Sequence, residues 1–288
     1  MAEKMYVGVN DLARNVSKMY VGVNGVARKV KKAYVGVNGV ARLFYSGVTP
    51  PKIVTFSGGT DEEIVAMVEA ADDGIINLAD YWHVGDMRRV YLNSMASSSM
   101  GDSHVAQWVY LVLSNVGGKT LTTPTPSGRN TCSFVFTFED PLAEPGHMNI
   151  TNINTGGWSA SDRRSWCNTT LKNAFPQTLL PIVKQIINPT SSGAQNSDII
   201  NSYDYFALTS EVEVFGSVTR AATGEGSQLS YFTTAANRIK TYGGTANPWN
   251  NRSPVLASGA QFCRLNASGQ PSYHGAIYDS GIVIMGAI

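Results

Sequence analysis

The sequence has few charged residues and few cysteines. Asp, Glu, Lys and Arg make up 15% of the 288 residues, and the formal net charge is +1. A chain so close to neutrality has no global field that would favour nucleic acid or an anionic membrane surface. Cys132, Cys167 and Cys263 are odd in number and far apart, so they define neither a disulfide framework nor a C-x-x-C metal pair. We interpret them as small buried hydrophobic residues.

Long apolar runs are missing too. No stretch reaches the roughly 18 apolar residues of a membrane-spanning helix. The first residues lack the apolar core of a signal peptide. We therefore predict synthesis in the cytoplasm, no membrane insertion, and release of any extracellular form by lysis or on a particle.

The motifs of the common catalytic and cofactor sites are also absent. There is no phosphate loop, dinucleotide-binding glycine pattern, nucleophile elbow or calcium loop. The four histidines, His83, His104, His147 and His274, have no metal-ligand spacing. No carboxylate pair stands out as an acid and base. We expect no metal and no cofactor, and an enzyme is the least favoured class of function.

Small and polar residues are abundant, which favours turns and β-structure. The apolar fraction of 43% still suffices for a sizeable core. Helical and strand patterns both occur, and we predict an α+β fold. Its parts are a repeat module over residues 1–47, a linker with a capped helix over 48–74, and a main domain over 75–288.

The first part contains a repeat with a period of fourteen residues. A Tyr-Val-Gly-Val-Asn segment begins at Tyr6, Tyr20 and Tyr34, and Asn-Gly or Asn-Asp follows each short β-prone run. Asn-Gly between such runs is a strong signal for a β-hairpin. We predict three hairpins that form a meander. Two interpretations stay open: a small sheet docked on the main domain, or a module for attachment or self-association.

Local patterns predict the elements of the remaining chain. Thr60 and Glu63 form a capping box ahead of apolar residues at helical spacing, and Gly74 ends that helix. Ser159 and Asp162 predict a second helix start, with Pro176 as its end. Further predictions are a hairpin around residues 85–86, strands over 107–113, 133–138 and 206–215, a helix over 179–187 and an exposed loop over 190–200.

The last forty residues combine large apolar anchors with small, polar and aromatic side chains. We assign Trp249, Phe262 and Leu265 to the core. Tyr and Arg offer large contacts, whereas Asn and Ser offer adaptable hydrogen bonds, as in antibody paratopes. The predicted ligand-contact residues are Asn250, Asn251, Arg264, Asn266, Ser268, Tyr273, His274, Tyr278 and Asp279.

Several segments together resemble a domain family of unknown function that is common in Firmicutes and their phages. The segments are Gly156-Gly157-Trp158 with Arg164, Leu208 to Gly216, and Trp249-Asn250-Asn251-Arg252-Ser253-Pro254 with Phe262-Cys263. The N-terminal repeat is similar to a segment at the start of phage and prophage tail proteins. The domain family itself resembles the C-type-lectin fold, in the branch of formylglycine-generating enzymes and of the variable proteins of diversity-generating retroelements.

These resemblances imply a C-type-lectin-like domain in a phage or prophage tail, with a C-terminal ligand-binding surface that a retroelement diversifies. The implied partners are a host cell-surface protein or glycan, other tail proteins through the repeats, and further copies of the same chain. The chain has no clear counterpart of the copper-binding cysteines of the formylglycine-generating enzymes. Two alternatives stay open: a purely structural virion component, and a carbohydrate-active or oxidative enzyme.

Overall fold

The protein is represented by a computed structural model that describes residues 6–9, 12–15, 20–23, 26–30, 32–37, 40–46, 50–96, 100 and 103–288. The chain divides into two compact units, residues 1–51 and residues 52–288. No helix within the described ranges is long and apolar enough to cross a membrane.

The first unit consists of antiparallel strand pairs, one from each repeat. The strands are β1 (Tyr6–Val9), β2 (Leu12–Asn15), β3 (Tyr20–Val23), β4 (Val26–Lys29), β5 (Lys32–Val37) and β6 (Val40–Ser46). β1 pairs with β2, β3 with β4, and β5 with β6. The Asn-Gly and Asn-Asp turns lie outside the described residues. The described strands form three separate two-stranded sheets rather than the predicted meander, because a hairpin turn specifies only the two strands that it joins.

The second unit combines short helices with antiparallel strands. Its α-helices are α1 (Asp61–Asp72), α2 (Asp162–Trp166), α3 (Lys172–Ala174) and α4 (Glu211–Phe215), and a π-helical turn at Cys167–Leu171 joins α2 to α3. Single 3₁₀ turns occur at Leu78–Asp80, Trp158–Ala160, Leu180–Ile182, Ser230–Thr233 and Ala235–Arg238. The strands are β7 (Met87–Leu92), β8 (Gln107–Val116), β9 (Phe134–Phe138), β10 (Ile186–Gly193), β11 (Asn196–Asp204), β12 (Phe206–Ala207), β13 (Lys240–Tyr242), β14 (Thr245–Asn247), β15 (Trp249–Pro254), β16 (Gln261–Leu265), β17 (Pro271–Gly275) and β18 (Met285–Ala287). With about 20% helix and 32% strand, the chain has the predicted α+β class.

A five-stranded antiparallel sheet carries the core of this unit. The strand order is β12-β18-β9-β8-β7, so the C-terminal strand β18 lies between β9 and β12. Every residue of β9 is buried, and Gly286 of β18 packs against the ring of Phe136, where a Cβ would come within 2.5 Å. The predicted strands over 107–113 and 133–138 are confirmed. Trp108 and Tyr110 are nevertheless about half exposed, because they project from the face of β8 opposite Val109 and Leu111.

The first helix is confirmed with its capping box. Thr60 Oγ1 accepts from the Glu63 N–H, the Glu63 carboxylate accepts from the Thr60 N–H, and Gly74 follows with φ +71°. Ile64, Met67 and Val68 pack into the core of the 52–288 unit. The capped helix therefore contributes to the core of the 52–288 unit.

Two predictions in the middle of the chain need correction. Trp82 and Val84 precede a turn without forming a strand, and β7 pairs with the distant β8, so there is no hairpin at 85–86. The helix cap is Ser161, whose hydroxyl accepts from the Arg164 N–H at 3.1 Å, rather than Ser159. The second error is one of position, because a short polar pattern fixes a helix cap only to within a few residues. The first is one of pairing, because the partner of β7 lies far along the chain.

The segment predicted as a helix over 179–187 and a loop over 190–200 forms a 3₁₀ turn followed by the β10–β11 hairpin. Asn188 and Thr190 are fully buried in it. Ala194 and Gln195, at its turn, have φ of 52° and 65°, the left-handed conformation of tight hairpin turns. The polar composition suggested an exposed loop. The partners that allow these polar groups to be buried lie in distant segments, and the local sequence does not show them.

The strand predicted over 206–215 is wrong beyond its first two residues. β12 ends at Ala207, and α4 begins after Ser210, which forms a capping box with Glu213. The Glu-Val-Glu-Val run alternates like a half-exposed strand. Glu211 and Glu213 are both buried, however, so the two charged residues do not lie on an exposed face as the alternation implied. The Ser-x-x-Glu capping signal was present in the sequence.

Candidate functional site

The predicted contact residues lie on and around a three-stranded sheet, which we call the C-terminal ribbon. It consists of β15, β16 and β17 in that order, all antiparallel. Trp249, Phe262 and Leu265 are 0% exposed in it, as predicted for core anchors. All six residues of β15 are buried, so this strand joins the ribbon to the interior while β17 reaches the surface.

Arg252 of β15 is the centre of a buried ionic network. Its guanidinium forms two hydrogen bonds with the Glu213 carboxylate of α4 and donates to the Leu208 carbonyl at 2.9 Å. The Lys119 ammonium also pairs with Glu213. Burial by itself raises the pKa of the Glu213 carboxyl, but the charges of Arg252 and Lys119 outweigh that effect and lower it to about 2.

The network continues from Lys119 to the segment around Trp158. Lys119 Nζ donates to Asn188 Oδ1 at 2.8 Å, and Asn188 Nδ2 donates to Asp204 Oδ2 at 3.0 Å. The Trp158 indole N–H donates to the same oxygen at 3.0 Å. Each of these side chains is 5% exposed or less. The network is therefore inaccessible to ligands, and its role is to hold the ribbon on the domain.

Asn250 and Asn251 do not lie on the surface, contrary to the prediction. Both are 0% exposed. Asn250 Nδ2 donates to the Gly146 carbonyl at 2.9 Å, and Asn251 Nδ2 donates to Thr209 Oγ1 at 3.0 Å. Their polar groups bind neighbouring segments, so these two residues leave the set of direct contacts.

His274 is also buried, which corrects its predicted exposure. Its Nε2 lies 2.6 Å from Asn250 Oδ1. Since the Asn250 amide nitrogen is donating elsewhere, this oxygen accepts and His274 is assigned as the Nε2–H tautomer. Burial, followed by the positive charge of Arg264, lowers the pKa of His274 to about 4 against the opposing charge of Asp279. A neutral imidazole therefore fixes β17 to β15.

A polar cluster surrounds His274 at the surface. Arg264 is partly exposed and donates to Ser280 Oγ at 3.2 Å. The Asp279 carboxylate, whose side chain is 59% exposed, lies 3.1 Å from His147 Nδ1. Tyr278 is 61% exposed. Arg264, Tyr278 and Asp279 thus remain candidates for direct contact.

Tyr273 lies on the other face of the ribbon, because it pairs with Cys263 whereas His274 pairs with Phe262. Its ring is 40% exposed. The Arg220 guanidinium stacks over it, 4.2 Å from the ring centroid. The predicted contacts are therefore divided between two faces of the ribbon.

Asn266 and Ser268 form the turn between β16 and β17. Asn266 Oδ1 accepts from the N–H groups of Ser268 and Gln270 at 2.9 and 3.0 Å. The Asn266 side chain therefore shapes the turn, and Ser268, unlike Asn266, is exposed. His147 and Arg220 were not predicted as site residues, because they come from distant segments without a local signal.

The remaining chemistry of the described residues is sparse. Cys132, Cys167 and Cys263 are buried, as predicted. No group of three or more His, Cys, Asp or Glu side chains within the described ranges could hold a metal ion.

Comparison with known proteins gives one match. A family model described as a domain of unknown function, DUF6273, matches residues 135–283, which is more than half of the chain. The matched span extends from β9 to the segment before β18 and contains α2, α4 and the whole ribbon. No curated protein and no solved structure matches the sequence. The chain belongs to the DUF6273 family of domains of unknown function.

Proposed function

We propose that this protein is a ligand- or receptor-binding protein of a phage or prophage tail, and that its C-terminal ribbon is the contact surface. The observation that carries the proposal is the contrast between the buried strand β15 and the exposed side chains on and after β17. β15 is wholly buried and anchored by the Arg252–Glu213 pair. Tyr273, Tyr278 and Asp279, beyond it, are exposed. Rigid anchoring of exposed aromatic and charged side chains lowers the entropic cost of binding.

The proposed frame is a C-type-lectin-like domain, and the proposed partner is a protein or glycan of the host cell surface. Support comes from the motif resemblance and from the residue types on the ribbon. Tyr and Arg are enriched among the residues that dominate binding interfaces. The N-terminal hairpins would attach the domain to other tail proteins or to further copies of this chain, and the working protein would then be part of the virion.

Cell binding tests the surface assignment. Fluorescently labelled protein is titrated onto cells of the bacterium that carries the gene. The double variant Tyr273→Ala/Tyr278→Ala should bind at least about tenfold more weakly, since truncation of a central contact typically costs 1–2 kcal/mol or more. Tyr203→Ala is the matched control, because Tyr203 is exposed to a similar extent, 53%, on β11.

Unchanged binding by the double variant, with thermal unfolding like that of the wild type, would refute the assignment. Protease treatment of the cells distinguishes a protein receptor from a glycan, because only the protein is destroyed.

The proposal of diversification has its own test in the DNA. A near-copy of the 3′ end of the gene beside a reverse-transcriptase gene supports it, and the absence of both from the surrounding genome counts against it.

A further inference from the structure

An open groove lies between the α2–α3 helical stretch and the start of β10. Its volume is about 480 Å³, within the range of small-molecule sites. Its walls come from α3 and the chain up to β10, from residues 122–123 between β8 and β9, and from the connection between β11 and β12. None of its lining residues belongs to the C-terminal ribbon, so the groove does not depend on the function proposed for that surface.

The charges in the groove are of one sign. Two lysines, Lys172 and Lys184, line it, and none of the lining residues, all of them described, carries a carboxylate. Lys184 pairs with the buried Asp72, but Asp72 is shared with Arg129 at 3.0 Å. The Lys172 ammonium lies 3.5 Å from the centroid of the Tyr205 ring. The local charge of these groups is therefore positive, which favours an anion.

The neutral polar groups can both donate and accept. Thr122 Oγ1 donates to Gln185 Oε1 at 3.1 Å, which orients the amide of Gln185 and leaves its NH₂ as a donor. Gln177 Nε2 donates to the Phe175 carbonyl at 2.9 Å, so its own oxygen can accept. Thr123 adds an exposed hydroxyl.

Apolar surface completes the lining. Leu180, Pro181 and Val183 contribute aliphatic groups beside the Tyr205 ring. A bare inorganic anion would use the lysines but neither the apolar groups nor most of the amides and hydroxyls. A ligand that uses all three kinds of group has an anionic group, several hydroxyls and a C–H face.

We propose that this groove binds an anionic saccharide, a sugar unit that carries a phosphate or a carboxylate, with Lys172 and Lys184 facing the anion. The proposed ligand can be a free sugar or a unit of a surface polymer, and both sources share the same recognition chemistry. Titration with glucose 6-phosphate and glucuronate tests the free unit. Titration with a phosphate-containing polysaccharide of the host envelope tests the polymer.

Isothermal titration calorimetry on the full chain measures the binding of glucose 6-phosphate, glucuronate, glucose and inorganic phosphate. Glucose 6-phosphate should bind more tightly than either glucose or phosphate. Lys172→Gln should weaken its binding about fivefold, as expected for one charge contact at 4 Å in a water-like environment, about 1 kcal/mol. Lys172→Arg, which keeps the charge, should retain most of the affinity.

A second pair of variants separates charge from shape. Thr123→Glu places a carboxylate at the exposed edge of the groove and should weaken binding by a similar factor. Thr123→Gln, whose side chain has the shape of Glu without the charge, should not. Equal affinities of glucose 6-phosphate and phosphate would overturn the saccharide part of the proposal. The site would be overturned if wild type, Lys172→Gln and Thr123→Glu bound glucose 6-phosphate equally well. It would also be overturned if none of the anionic sugars gave a heat of binding.

Discussion

Replacing Glu213 by Gln tests the buried network that anchors the ribbon. Glu213 is 0% exposed and accepts from both Arg252 and Lys119, which are 0% and 5% exposed. The substitution keeps the shape of the side chain but leaves two buried cations without their common anion. Removal of one partner from a buried ion pair typically costs about 3–5 kcal/mol of folding free energy.

The pKa of Glu213 gives a second route to the magnitude. A shift from 4.5 to about 2 corresponds to about 3 kcal/mol of preference for the ionised form in the folded state. Because the folded-state pKa is the lower one, this stabilisation is fully present above pH 4.5 and is lost as the pH falls towards 2. Both routes predict a loss of about 3–5 kcal/mol at neutral pH, or roughly 10 °C in Tm for a domain of this size.

Chemical denaturation followed by tryptophan fluorescence measures the loss at pH 7. Glu62→Gln is the control, because it removes the same charge at an exposed position on α1. The difference in stability between wild type and Glu213→Gln should shrink as the pH falls from 4.5 towards 2. A loss no larger than that of Glu62→Gln, or a difference independent of pH, would show that Glu213 does not stabilise this fold as an anion.

Two further substitutions test local features of the fold. The pKa of His274 is about 4 in the folded protein against 6.5 ordinarily, so the unfolded chain binds the proton more tightly. The free energy of unfolding should therefore fall by about 3 kcal/mol as the pH drops from 6.5 to 4. Urea titrations of His274→Asn should lack this pH-dependent loss. Gly157→Ala should lower Tm by clearly more than Gly243→Ala: both glycines have φ near +60°, but a Cβ on Gly157 would overlap the Ser191 carbonyl oxygen, whereas Gly243 faces open space. Conformational strain alone costs of order 1–3 kcal/mol, so equal losses in Tm would contradict the close packing at Gly157.

The sequence alone was sufficient where local chemistry decides the structure. The Thr60–Glu63 capping box and the apolar residues that follow it specified α1, since both cap partners lie within one helical turn. Continuous apolar runs specified β8 and β9, and Trp249, Phe262 and Leu265 were correctly placed in the core. In each case the residues that determine the outcome are neighbours in the chain or are strongly hydrophobic.

Only the tertiary structure decided where polar side chains lie. Asn250, Asn251 and His274 have the composition of a contact surface, yet they are buried because Gly146, Thr209 and one another supply their hydrogen bonds.

The same reason applies to Glu213 and Asn188, whose partners Arg252 and Lys119 come from distant segments. Burial of a polar group is favourable only when a partner is present. A single sequence does not show which distant residues become partners, so the division of the C-terminal residues between frame and surface depends on the fold.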